Sequence, residues 1–206
     1  MTYNKTEIEE YLADNNISIE QLYLKACEHG FYDLVLAIIE FYPNINLRYR
    51  YKMNLLNVVS NNHLNILKFL LSNIDTSDIM INYNRLAISA IIGSNGTTDI
   101  VEYLLNTTNI DVTMDDYYLF KLAVSKNYID IAILLYKKSP VYILEYRNIC
   151  DWILKYGSIQ LLEQLFTRVP EIRSTLTTLN IYTQWLTFAC PANIKSIITN
   201  DMTIVC

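Results

Sequence analysis

The sequence predicts an all-α fold, a solenoid of about five to six helix-turn-helix units closed by capping half-repeats. Three observations predict it. A Gly or Asn recurs at near-constant spacing, and apolar pairs follow these residues at helical distance. The chain of 206 residues also holds only four glycines and four prolines, so its loops must be short or built on Asn.

The recurring residues are Gly30, Asn62, Gly96, Asn127 and Gly157, separated by 32, 34, 31 and 30 positions. Gly and Asn enter left-handed backbone most readily, so each marks a tight turn between two helices. Four residues on stands an apolar pair: Leu34/Val35, Ile66/Leu67, Ile100/Val101 and Leu161/Leu162. A second pair follows one helical turn later, as in Ile38/Ile39, Leu70/Leu71 and Leu104/Leu105, so both lie on one face. Asp33, Asp99 and Asp130 stand where the second helix of a unit begins, and a carboxylate there favours the helix dipole. The extra residues around Gly93-Ser94-Asn95-Gly96 predict a longer turn in the third unit.

The ends read as caps on a single domain spanning 1–206. Residues 1–19 form an N-terminal cap with an amphipathic segment at Thr6–Leu12. Ser18, with Gln21 three residues on, matches a capping box for the first full inner helix. The registered repeats occupy 20–170. A shortened C-terminal capping repeat occupies 171–206, with segments Tyr182–Ala189 and Ala192–Ile198 on either side of Pro191.

The period and the residues at the turn resemble the ankyrin repeat, with its small-residue inner helix, Gly-His turn and outer helix ending in paired leucines. Asn62-His63 matches that turn, and Ala26, Gly30 and Ala123 match the small positions. Asn44-Ile45-Asn46 and Asn109-Ile110-Asp111-Val112 look like the family's short segment after the outer helix. The Thr-Pro-Leu-His tetrapeptide of the family is missing, so the resemblance is one of spacing more than of motif. A HEAT-like array shares the apolar pattern, but its period is longer, about 40 to 47 residues.

Composition narrows the function classes. A net charge of −5 argues against nucleic acid as the partner. The densest apolar stretch, Leu34–Tyr42, is interrupted by Glu40 and stopped by Pro43, which argues against a membrane span. The polar N-terminus lacks the apolar core of a secretory signal, so the expected location is cytoplasmic. Cys27, Cys150, Cys190 and Cys206 form no CxxC pair, and the two histidines, His29 and His63, supply no zinc spacing, so reduced thiols and no metal are expected.

No catalytic or cofactor-binding residue stands out, and the chain is not expected to be an enzyme. Asp115-Asp116 and Glu9-Glu10 have no His or Cys in local reach and read as solvated loop or helix starts. His63 sits at a turn position that ankyrin repeats commonly fill with His, which implies a role in ordering the turn. His29 is placed to meet the last carbonyls of an inner helix. Gly93-Ser94-Asn95-Gly96 lacks the Lys-Ser or Lys-Thr of a phosphate loop.

The most distinctive stretch alternates basic and aromatic residues: Arg48, Tyr49, Arg50, Tyr51 and Lys52. Ankyrin arrays place a projecting hairpin finger at this point between units. As an extended segment it would carry its charges on one side and its tyrosines on the other. One reading is a contact for an acidic protein partner, the tyrosines adding rigid area; the other packs the tyrosines on the neighbouring repeat. Tyr83, Tyr117, Tyr118, Tyr146 and Tyr182 recur at the same stage of later units and carry the same two readings.

The resemblance implies a protein-interaction module that binds through its concave face and finger loops. Degenerate arrays rich in Asn, Ile and Tyr look like those of poxviruses and giant DNA viruses. That implies a host-modulating factor with a host protein as partner, in the host cytoplasm. An alternative follows from the C-terminus, where Trp185, Pro191, Ile194, Ile197 and Ile198 faintly resemble the F-box-like segment of poxvirus ankyrin proteins. It would make the chain a substrate adaptor for a ubiquitin ligase.

Overall fold

A computed structural model of the chain describes residues 3–74, 81–139, 156 and 158–171. Gly157, Tyr146, Tyr182, three of the four cysteines, the F-box-like segment and almost all of the expected C-terminal cap lie outside these residues. Among the described residues the regular structure is entirely helical. The chain divides into two compact units, Met1–Ile110 and Asp111–Cys206, within the span read above as one array.

The first unit holds α1 (Lys5–Asn15), α2 (Ile19–Glu28), α3 (Tyr32–Phe41), α4 (Tyr51–Ser60), α5 (Leu64–Asn73), α6 (Tyr83–Gly93) and α7 (Asp99–Thr107). Helices pack in neighbouring pairs, α2 with α3, α4 with α5 and α6 with α7. The first helix of each pair also packs on the next, α2 on α4 and α4 on α6. The second unit holds α8 (Met114–Ser125), α9 (Ile129–Lys138) and α10 (Ile159–Arg168), with α9 packed against both α8 and α10.

One burial pattern explains the pairing. Inner helices bury residues at i, i+1, i+4 and i+5: Leu22, Tyr23, Ala26 and Cys27 in α2, then Leu86, Ala87, Ala90 and Ile91 in α6. In α8 the four are Leu119, Phe120, Ala123 and Val124. This doublet pattern makes an apolar stripe wide enough to meet a partner on either side. The outer helices bury the apolar pairs read from the sequence, as in Leu34, Val35 and Ile38 of α3 and Ile100, Val101, Leu104 and Leu105 of α7.

The turns fall where Gly and Asn predict them. Gly30, Asn62, Gly96 and Asn127 stand at φ of 78°, 61°, 90° and 60°. At three of them the hydrogen bonding is the same. The Phe31, His63 and Tyr128 amides donate to carbonyls five residues back, on Ala26, Val58 and Ala123. The Gly30, Asn62 and Asn127 amides donate to carbonyls three residues back. These are the two bonds of a Schellman close, which needs one left-handed residue. α1 ends the same way, with Asn16 at φ 49° and the Ile17 amide on the Leu12 carbonyl. The third turn departs as expected: residues 94–98 separate α6 from α7, while α4 and α5 are parted by residues 61–63 alone.

Capping is local and specific. Ser18 and Gln21 form the expected box, each side chain bonded to the other's backbone N–H at 3.2 and 2.9 Å. A second box, unforeseen, joins Asn4 and Glu7 at the start of α1. Asp33, Asp99 and Asp130 all lie in the first turn of an outer helix.

Two residues in α4 and α6 set how well the inner stripe closes. In α4 the buried quartet reads Asn54, Leu55, Val58 and Val59, so an amide stands where the other inner helices place Leu22, Leu86 and Leu119. No oxygen or nitrogen partner meets either amide atom of Asn54, whose side chain lies against the Cys27 thiol. A buried unpaired amide costs about 1–3 kcal/mol. Gly93 is tighter still: a Cβ there would come within 1.9 Å of the Ser60 carbonyl oxygen, so only glycine lets the end of α6 approach α4 this closely.

Two substitutions test this packing. Asn54→Leu, which restores the residue of the sister helices, should stabilise the chain by roughly 1–3 kcal/mol in urea unfolding. Gly93→Ala should destabilise it by about 1–3 kcal/mol as the two helix ends are forced apart. Equal urea midpoints for wild type and both variants would refute this account of the α4–α6 interface.

Candidate protein-interaction surface

The link between α3 and α4 carries the basic and aromatic residues. It is not extended. Asn46 accepts the Arg48 amide on its side-chain oxygen at 3.1 Å, and the Tyr49 and Tyr51 amides donate to the carbonyls of Asn46 and Arg48. The segment is thus a run of turns that feeds directly into α4, whose first residue is Tyr51. Arg50, at φ 50°, makes the left-handed step into the helix, a conformation that costs a non-glycine residue about 1–2 kcal/mol.

This corrects the expectation of a hairpin finger, yet the two sides still separate by chemistry. Arg48, Arg50 and Lys52 are exposed, Tyr49 is half-buried and Tyr51 is buried. The Arg50 guanidinium lies 5.7 Å from the centre of the Tyr49 ring, in cation–π range, which holds that charge near the turn.

Tyr51 does not belong to a contact surface. It is 3% exposed, and its hydroxyl donates to the Leu70 carbonyl of α5 at 2.9 Å. That bond ties the start of an inner helix to the end of its own outer helix. Burial pushes the phenol up to about 12, so it is a neutral donor across the physiological range. Sequence alternation could not reveal this, because a partner carbonyl nineteen residues away carries no local signal.

The later tyrosines divide in the same way. Tyr83, the first residue of α6, is half-buried and near enough to Tyr51 to raise its phenol further. Tyr117 is 4% exposed, which takes it off the expected surface. It closes a left-handed run, Asp115, Asp116 and Tyr117 at φ of 50°, 57° and 60°, that carries its ring inward at the start of α8. Tyr118 is exposed. Asp115 and Asp116 are exposed, as expected of a helix start, and Asp116 pairs with Lys121.

The residues that resemble catalytic groups have structural employment. His63 Nε2 lies 2.9 Å from the Glu28 carbonyl, and Asn61 donates to the same oxygen at 3.1 Å. His63 therefore joins its own turn to the previous one. Its ring also packs on Gly30, where a Cβ would come within 2.5 Å of the imidazole. His29 Nδ1 lies 2.8 Å from the Lys25 carbonyl at the end of α2, as its position predicted. Cys27 is a free, buried thiol; burial raises it to about 11, against the smaller opposing pull of the neighbouring Asn54 and Tyr23 side chains.

Among the described residues no group of three His, Cys, Asp or Glu side chains converges as a metal site would require. No helix among them is long and apolar enough to cross a membrane. No protein-family model matches the chain, and no curated protein or solved structure is significantly similar to it.

The reassignment of Tyr51 has a direct test. Tyr51→Phe removes one buried hydrogen bond and should lower unfolding free energy by about 0.5–1.5 kcal/mol. A thermal or urea midpoint equal to the wild type would return Tyr51 to the surface.

Proposed function

We propose that the chain is an ankyrin-type protein-interaction module, and that its partner is a host protein, as the likeness to poxvirus arrays suggests. Binding would use the inner-helix side of the array and the basic turn at residues 48–52. One observation carries the reading. Hydrogen bonds join successive turns at a separation that reproduces the repeat: Asn61 to Glu28, Asn62 to Thr97 and Ser158 to Asn127 span 33, 35 and 31 residues. Such a ladder holds stacked hairpins in register while their surface residues are free to vary.

Exposed Arg48, Arg50 and Lys52 support a basic contact face at the turn, fitted to an acidic partner. Positive charge there would act mainly on encounter, since exposed charges steer association more than they add affinity.

The test starts from affinity purification with the full chain from host-cell extract, followed by binding kinetics on the recovered protein. Arg48→Ala, Arg50→Ala and Lys52→Ala combined should slow association about tenfold at low salt and flatten its salt dependence. Unchanged kinetics would make the three ordinary solvated charges. Failure to retain any protein would remove the module reading itself.

A further inference from the structure

The first described turn is less covered than the second. His63 and Asn61 clamp the second hairpin onto the Glu28 carbonyl of the first. Phe31 occupies the place in the first turn that His63 occupies in the second, each being the residue before an outer helix. Among the described residues only α1 precedes the hairpin that Phe31 belongs to. Phe31 stands 53% exposed, with its ring stacked on His29 at 5.9 Å between centroids.

α1 covers this end only in part. It is a single helix where a full repeat would supply two, it buries only Ile8, and it packs far less extensively than the paired helices do. A cleft of about 590 Å³ remains between α1 and the α2–α3 turn. Its floor is apolar, with Ile8, Leu22, Ala26 and Leu34, and its rim includes Tyr11 and Phe31. Clefts of roughly 300–1,000 Å³ accommodate drug-sized ligands, so there is room for one or two large side chains.

The charge around it is predominantly negative, although the lining itself holds one anion, Glu7, and one cation, Lys25. Residues 1–42 hold eight acidic and two basic side chains, a net −6 in a chain whose total is −5, so the rest of the molecule is close to neutral. Glu7 lines the cleft, and Glu10 and Asp14 follow at i+3 and i+7 on the same helical face, all exposed. Of the two cations, Lys5 pairs with Glu9 at 3.7 Å and Lys25 lies in the cleft.

We propose that this cleft docks a basic segment of a partner protein. One large apolar side chain would seat between Tyr11 and Phe31, and flanking Lys or Arg residues would face Glu7, Glu10 and Asp14. An apolar floor beside the acidic face of α1 selects this ligand class, because apolar burial supplies affinity and the charge supplies encounter and sign discrimination. The site is independent of the basic turn at 48–52, which would attract the opposite charge.

The experiment is selection of a displayed random twelve-residue peptide library on the full chain, followed by titration of the enriched peptide. Enrichment of Lys or Arg around Trp, Phe or Leu is expected. Phe31→Ser and Tyr11→Ala together should weaken that peptide at least tenfold, and Glu10→Lys with Asp14→Lys should slow its association. Phe31 and Tyr11 are exposed, so circular dichroism should be unchanged in that variant. Acidic consensus peptides, no enrichment, or a peptide whose affinity ignores Phe31 and Tyr11 would overturn the proposal. So would self-association in sedimentation that the Phe31 variant abolishes, since the occupant would then be a second copy.

Discussion

The Gly30 turn performs two tasks in the first unit, and the second depends on the first. By turning left-handed, Gly30 and Asn62 close a helix hairpin through two backbone hydrogen bonds. The same reversal leaves the Glu28 carbonyl facing outward at the end of α2, where Asn61 and His63 of the next turn reach it. One carbonyl thus takes two bonds from thirty-three and thirty-five residues downstream. Gly30 must also lack a side chain, because the His63 imidazole lies against it. Change the turn and the next hairpin loses its anchor.

Register at the turns in turn permits the burial pattern of the inner helices. With α4 hung from the end of α2, its buried quartet meets that of α2, and Gly93 brings α6 into backbone proximity with Ser60. Such an arrangement tolerates little error at a quartet position. Asn54 is that error, a buried amide that meets no oxygen or nitrogen partner and lies against the Cys27 thiol. Natural chains keep polar groups in cores for register in some systems. Here register is already fixed at the turns, so Asn54 is a cost without a visible structural return.

The turn positions were legible in the sequence because φ near +60° admits few residue types, and the apolar pairs were legible because helical period fixes their spacing. The Ser18–Gln21 cap and the long third turn were legible for the same local reason. Tyr51 was not. Alternating Arg and Tyr satisfies an extended strand and equally a series of turns entering a helix, and only the Leu70 carbonyl decides between them. Tyr117 escaped because its inward course depends on three successive left-handed residues, two of them aspartates that also suit an ordinary helix start. Phe31 escaped differently. Its sequence neighbourhood is that of every other turn, and its exposure follows from how little of that turn α1 covers.

A turn left uncovered sets one hairpin apart from the others and exposes a distinct surface. Interior hairpins cover one another, so a residue such as His63 spends its bonding capacity on the preceding turn. The first hairpin has the same machinery and less to use it on. α1 satisfies the solvent-facing end of the stripe through Ile8 but leaves the turn uncovered, and the net negative charge of the chain falls in the same segment. An end cap built only for solubility would present a polar face throughout. The combination at residues 3–42, an exposed aromatic pair over an apolar floor in a segment of net negative charge, is costly for solubility, and that cost is why we propose it as a recognition site.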